Sequence, residues 1–274
     1  MVITAQDVNK LRMQTGAGLM DCKKALVESD GDFESAIDAL RKKGQKVAAL
    51  RSDREATEGI ALAATSEDGT KGVVVYLSSE TDFVAKNDDF QAFAKNVVSN
   101  ALANDYADKA ALLEANIDGS KLSDSISDLV GKIGEKIDIA AYEYVVGDSI
   151  VAYNHAGNKI GVLVAFNGKV PEEIGKDIAM QIAAMNPIAV DKDAVPQSVI
   201  DREIEIGKEQ ALAEGKPAEI VEKIATGKLQ KYFKENTLMN QQFVKDSSKT
   251  ISGLLKEIDS NLTVTEFKRI AVGQ

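Results

Sequence analysis

The chain has 274 residues, 44% hydrophobic and 28% charged, with a net charge of −10: enough sequence to bury a real core in roughly two domains, and too acidic for broad contact with nucleic-acid phosphates, which calls for basic faces. A single cysteine, Cys22, and a single histidine, His155, exclude a disulfide framework, a structural zinc site and a His-rich metal centre. The apolar runs fall far short of the ~20 residues of a membrane-spanning helix, and Met1 to Asp7 lacks the basic and apolar regions of a secretory signal, so a cytoplasmic location and a protein partner are expected.

Met1 to Gly44 reads as three short helices. Thr4 caps the first with Asp7 three positions on, Val8 and Leu11 share a face, and Gly16-Ala17-Gly18 ends it. The second runs from about Leu19 to Ser29 with Leu26 inward and Cys22 as a packed thiol. After Gly31-Asp32, the third carries Phe33, Ala36, Ile37 and Leu40 and is expected to close at Gly44. So small a bundle has a marginal core, which leaves Leu19 and Met20 either as its last members or as an apolar docking patch. Lys42 to Arg54 is basic and reads as a helix end passing into a linker.

Beyond the linker the chain repeats a plan. Ile60 to Thr65 and Gly72 to Leu77 are β-like runs joined through Asp68-Gly69, and a helix follows with Phe90, Phe93, Ala94, Val97 and Val98 on one face. Ile150 to Tyr153 and Ile160 to Phe166 flank Gly157-Asn158, and again a helix follows, with Ile174, Ile178 and Ile182 at helical spacing. Gly72 and Gly161 open the second strand of each copy. Phe90 lies 18 residues after Gly72, Ile174 only 13 after Gly161, and the extra residues fall on Thr81 to Lys86. The second copy turns with Asn167-Gly168 and Pro171 instead. Within TDFVAKNDDF, Thr81 to Phe90, Phe83 and Val84 are apolar where a turn is ordinarily polar. Phe83 either closes the local core or projects toward a partner, and a second copy that turns without it favours projection. Asp88 with Gln91 reads as a capping pair for the helix that follows.

Between the copies, Ser123 is expected to cap a helix with Ile126, Leu129, Val130, Ile133 and Ile137 inward, and Tyr142 to Val146 reads as a strand. From Val195 to about Lys234, dense charge and the heptad spacing of Val199, Ile206 and Ala213 predict an antiparallel two-helix coil turning at Gly215-Lys216-Pro217, with Gln210 in its seam and Ile220 and Ile224 on its second helix. A helix from Thr250 to Ile258 and a strand from Leu262 to Val272 complete the chain. The fold class expected is α+β with a mainly antiparallel sheet. The predicted divisions are a bundle at 1–44, a linker at 45–56, a core subdomain at 57–147, a second begun at 148–194 and completed at 235–274, and the coil at 195–234. No phosphate-cradling or dinucleotide loop is present, Asp82 has no positioned partner base, and neither a cofactor nor bond chemistry is expected.

Two runs carry a family resemblance. TGAGLMDCKKAL, Thr15 to Leu26, resembles the ubiquitin-associated-like (UBA-like) N-terminal domain of bacterial elongation factor Ts, and TDFVAKNDDFQAFA, Thr81 to Ala94, is similar to that family's second signature, in the same order. The resemblance implies a nucleotide exchange factor that binds the GTPase elongation factor Tu and accelerates loss of GDP, touching neither nucleic acid nor membrane and acting on Mg²⁺ and GDP only through the partner. It assigns Asp82 and Phe83, flanked by Thr81 and Val84, to a wedge, and Arg12, Leu19, Met20 and Lys23 to a grip on the GTPase domain. It also places Ile133, Gly134 and His155 on the partner-facing side, although Ile133 reads equally well as core and His155 as a solvated turn residue. Longer members carry a further helical module, whose contacts are not expected here. A UBA-like adaptor that docks a peptide or a ubiquitin-like surface is the alternative.

Overall fold

The computed structural model describes residues 3–274, so the first two residues of the predicted bundle lie outside the described residues. Helices α1 (Ala5–Thr15), α2 (Leu19–Glu28) and α3 (Phe33–Arg51) form that bundle. Thr4 and Asp7 close the predicted capping box, and Gly16, at φ +67°, ends α1 in the left-handed region. Val8, Leu11, Cys22, Ala25, Leu26 and Ala36 make its small core. Leu19 and Met20 stand outside it, 46% and 71% exposed.

The first repeat is a hairpin of β1 (Glu58–Thr65) and β2 (Lys71–Ser79), a single-turn helix α4 (Asp82–Ala85) and the long helix α5 (Asp88–Ala103). After α6 (Lys109–Leu113) and the minor hairpin of β3 (Asn116–Ile117) and β4 (Ser120–Lys121), α7 (Leu122–Ile133) leads into β5 (Ile137–Val146), which pairs antiparallel with β2. The second repeat has β6 (Ser149–Asn154), β7 (Ile160–Phe166) and α8 (Glu172–Met185). The coil helices α9 (Gln197–Ala213) and α10 (Ala218–Asn236) follow, then β8 (Gln242–Phe243), β9 (Asp246–Thr250), α11 (Ile251–Lys256) and β10 (Val264–Ala271), which pairs antiparallel with β7.

The architecture is α+β: apart from the separate two-stranded pairs β3-β4 and β8-β9, six strands are divided between two three-stranded antiparallel sheets rather than merged into one. Their orders, β1-β2-β5 and β6-β7-β10, follow the same rule: the second strand of each hairpin is central, and a strand after the helices pairs on its far side. The sheets face each other through Ala63, Val74, Val145, Ile150, Leu163 and Ala165. Each buries its other face under helices, α5 and α7 on the first, α8 and α11 on the second. Gly72 and Gly161 set the approach: a Cβ on Gly72 would lie 2.9 Å from Ile150 Cγ2, and one on Gly161 2.9 Å from Val74 Cγ2. Across the gap the Asn154 side chain both donates to Ala63 O, at 2.9 Å, and accepts from Ala63 N–H, at 2.7 Å, joining the second hairpin to the free edge of β1.

Four local expectations are corrected. Gly44 does not end α3, which runs through it to Arg51 and takes up much of the predicted linker; Gly44 packs instead where α3 crosses α7, close to Gly131. Helix α7 starts at Leu122 without a side-chain cap, and Ile137 lies in β5, because Gly134 at φ +84° stops the helix first. In the coil helices, the buried positions are Gly207 and Ala211 on α9 and Val221, Ala225, Leu229 and Phe233 on α10, while Gln210, Ala213 and Ile220 face solvent. The small pair Gly207 and Ala225 lets the helices come close and shifts the seam off Ile206 and Ala213, while Val199 packs as expected, against the cluster of Val195, Leu229 and Phe233. Finally, Asn87 caps α5, accepting from Asp89 N–H and Phe90 N–H; Gln91 Nε2 donates to Ala85 O and closes α4.

Candidate functional site

The extra residues of the first repeat form a rigid projection. Beyond Ser79, Thr81 keeps an extended backbone, φ −126° and ψ 156°, and serves as the N-cap of α4. At about 100° per residue, one turn directs successive side chains to different sides. Ala85 is buried and Val84 packs on the first core, whereas Phe83 is 81% exposed. Among the described residues it is the only exposed phenylalanine or tyrosine. Beside it, Lys86 Nζ lies 2.6 Å from an Asp82 carboxylate oxygen. The hydrogen bond from Lys86 holds the Asp82 carboxyl below the usual carboxylate range and raises the Lys86 ammonium, so Asp82 is an anion at neutral pH.

Two carboxylates that sequence reasoning passed over fix this corner. Glu80, largely buried, receives Arg51 Nη1 at 3.2 Å, Arg54 Nη1 at 3.0 Å and the Lys136 backbone N–H at 2.6 Å. Glu135 receives Thr81 N–H at 3.0 Å and Thr81 Oγ1–H at 2.7 Å. The basic stretch read as a linker thus spends two arginines on tying the end of α3 to the corner. Nothing local marks either glutamate, since each becomes a partner only once β2 and β5 lie side by side.

Burial pushes the Glu80 carboxyl up, but the hydrogen bonds from Lys136, Arg54 and Arg51 outweigh it and hold the group below its ordinary 4.5. A depressed folded-state value makes this stabilisation fully present above the unfolded value and removes it as pH falls through the folded one. In thermal melts from about pH 5 down to pH 3, Glu80→Gln is therefore expected to lose less stability on acidification than wild type. Parallel curves for the two proteins would refute the assignment.

The predicted residues fall in two connected places. Ile133 is half-buried against the first core, Gly134 faces open space, and both directly precede Glu135, which brings them to α4. His155 is exposed in the turn between β6 and β7, its Nδ1 3.0 Å from Tyr153 Oη. From that turn Lys159 Nζ reaches Glu58 at 2.6 Å and adds positive potential at Asp82, so the turn lies at the α4 end of the molecule. Arg12, Leu19, Met20 and Lys23 are all exposed on the bundle, where Met13, unnoticed in the sequence, is 89% exposed. Lys132 connects the two places: its side chain packs on Gly16, between α1 and α2, and its Nζ lies 3.0 Å from Asp89 at the start of α5. Among the described residues no group of His, Cys, Asp and Glu is placed to hold a metal ion, and no helix is long and apolar enough to cross a membrane.

Comparison with known proteins gives a consistent outcome. The family model described as "Elongation factor TS" matches residues 80–274. A protein of Amoebophilus asiaticus named "Elongation factor Ts" is 53% identical to this chain over 276 aligned positions, covering 100% of both chains. Proteins of the same name from Christiangramia forsetii and Flavobacterium psychrophilum are 50% and 51% identical, each alignment covering 99% of both chains.

Proposed function

The chain belongs to the elongation factor Ts family of translation elongation factors, and from that premise we propose that it binds the GTPase elongation factor Tu and accelerates release of GDP so that GTP can enter. The observation that carries this reading is Phe83, a fully presented aromatic on a helical turn whose ends are anchored. Buried aromatic anchors dominate protein interfaces, and an exposed one on a rigid mount has its ordering cost met before the partner arrives.

In this account Phe83 inserts between helices of the GTPase domain, and Asp82 beside it disturbs the Mg²⁺ and phosphate neighbourhood on which the grip on GDP depends. Leu19 and Met20 supply an apolar contact to the outer face of that domain, flanked by the charges of Arg12 and Lys23. Ile133, Gly134 and His155 border the wedge. No bond is made or broken by this chain. By reciprocity, a factor that weakens GDP binding is weakened by GDP in the same ratio, so it binds the nucleotide-free partner most tightly.

Release of a fluorescent GDP from elongation factor Tu, followed by stopped flow, tests the proposal. Acceleration at stoichiometric protein is expected, and its absence refutes the reading. Capture of the partner with and without GDP separates it from a UBA-like adaptor, which has no reason to prefer the empty form.

A further inference from the structure

We propose that Glu135 is a positioning residue that sets the direction in which the wedge points. The β2–β5 ladder ends at the pair Ser79 and Ile137. Past it the two chains diverge, and two side chains take over crosswise where ladder bonds would continue. Glu80 accepts from the backbone of residue 136, and Glu135 accepts from the backbone of residue 81. The two carboxylates are not equivalent: Glu80 ties the corner to α3 through Arg51 and Arg54, whereas both oxygens of Glu135 are committed to Thr81.

That commitment reaches Phe83 through the cap. The Thr81 hydroxyl has one proton, and giving it to Glu135 leaves the oxygen lone pairs to face Val84 N–H, which donates at 3.5 Å. A helix of one turn has no stability of its own, since nucleation is unfavourable and only a cap and packing hold it. The direction of Phe83, two residues after Thr81, is therefore set from outside α4. Gly134 completes the device. At φ +84°, with nothing within 4 Å of a Cβ placed on it, it turns the chain out of α7 so that the next residue faces Thr81. A glycine there is explained by the aim of Glu135 without any contact to a partner.

For its kinetic readout this inference rests on the exchange function proposed above; its structural readout does not. In the free protein, amide hydrogen exchange at Val84, Ala85 and Lys86 is expected to quicken about tenfold in Glu135→Ala, the loss expected for a helix cap. In GDP release, the same variant is expected to lower the maximal rate about tenfold while the half-saturating concentration stays within about twofold, because Phe83 and the bundle surface are still present. Glu135→Ala made on top of Thr81→Ala should cost less than it does alone, because the two residues act through one contact. Glu135→Gln, which keeps the shape and one acceptor, should be intermediate, and it decides the matter by the same readouts if Glu135→Ala does not fold. Unchanged amide exchange, an unchanged maximal rate, a loss confined to the half-saturating concentration, or full additivity with Thr81→Ala would each overturn the role. If wild type itself fails to accelerate GDP release, the exchange function is lost and the α4 amides alone decide.

Discussion

Phe83→Ala is expected to remove most of the acceleration of GDP release while leaving the melting temperature of the free protein unchanged. The two halves of this result come from one number. At 81% exposure the ring buries little against its own chain, so truncating it removes little of the area that stabilises the fold. The same ring, seated in a partner, loses nearly all its contact with water, and truncation of such an anchor costs about 2–4 kcal/mol, roughly 30- to 1,000-fold in affinity for the nucleotide-free GTPase. Asp82→Ala is expected to act more on the rate of exchange than on affinity, since in the proposed docking its carboxylate would bring charge to the partner's Mg²⁺ neighbourhood rather than buried area. The measurements are a thermal melt of each variant and stopped-flow release of labelled GDP. Wild-type exchange by both variants would remove the wedge, and a fall in melting temperature for Phe83→Ala would mean that the ring packs at home.

What the sequence made legible, and what it hid, divides along a physical line. Features decided by near neighbours in the chain could be read directly. The Thr4–Asp7 box, the Asp68-Gly69 turn and the apolar face of α5 each depend on residues a few positions apart. The internal comparison went further, because two copies of one plan act as mutual controls. Counting from Gly72 and Gly161 isolated the residues that became α4, and the same two glycines stand at the close approach of the sheets. Features decided by distant contacts were not visible. A glycine that ends a helix and a glycine that lets another helix pass look alike, so Gly44 reads as a stop although α3 runs through it. The coil failed for the same reason: a seam built on Gly207 and Ala225 carries little hydrophobic signal, and the larger Ile206 drew the stripe one residue aside. Glu80 and Glu135 sit 55 residues apart, and only the β2–β5 pairing makes them partners of one corner.

The glycine that misled is also the basis of the largest structural effect expected. A Cβ on Gly131 of α7 would lie 2.5 Å from the Cα of Gly44 on α3. A backbone atom cannot rotate away, so any side chain at 131 must drive the two helices apart. Valine gains a few tenths of a kcal/mol in helix propensity over glycine, whereas overpacking of a close crossing costs about 1–3 kcal/mol or more, so the clash wins. Besides the crossing, α3 is tied to the core by the packing of Val47 and Ala48 on the first core and by ion pairs: Arg41 with Asp128 at 3.8 Å, and Arg51 and Arg54 with Glu80. The exposed Arg41–Asp128 pair contributes about 0–1 kcal/mol, and Val47 and Ala48 follow Gly44 by one turn of α3, so a displacement at the crossing disturbs their packing as well. Gly131→Val is thus expected to loosen the bundle from the core, lowering the melting temperature by about 2–10 °C. It should also raise the half-saturating concentration for exchange about tenfold, because Leu19 and Met20 are no longer presented at a fixed distance from Phe83 and the two contacts cease to reinforce each other. Gly227→Ala is the control. That glycine is helical too, but a Cβ there meets nothing within 4 Å, so alanine should stabilise α10 by about 0.5–1 kcal/mol. Equal melting temperatures for Gly131→Val and wild type would show that α3 and α7 yield at the crossing. An unchanged half-saturating concentration despite a lower melting temperature would show that the bundle and the wedge engage the partner independently.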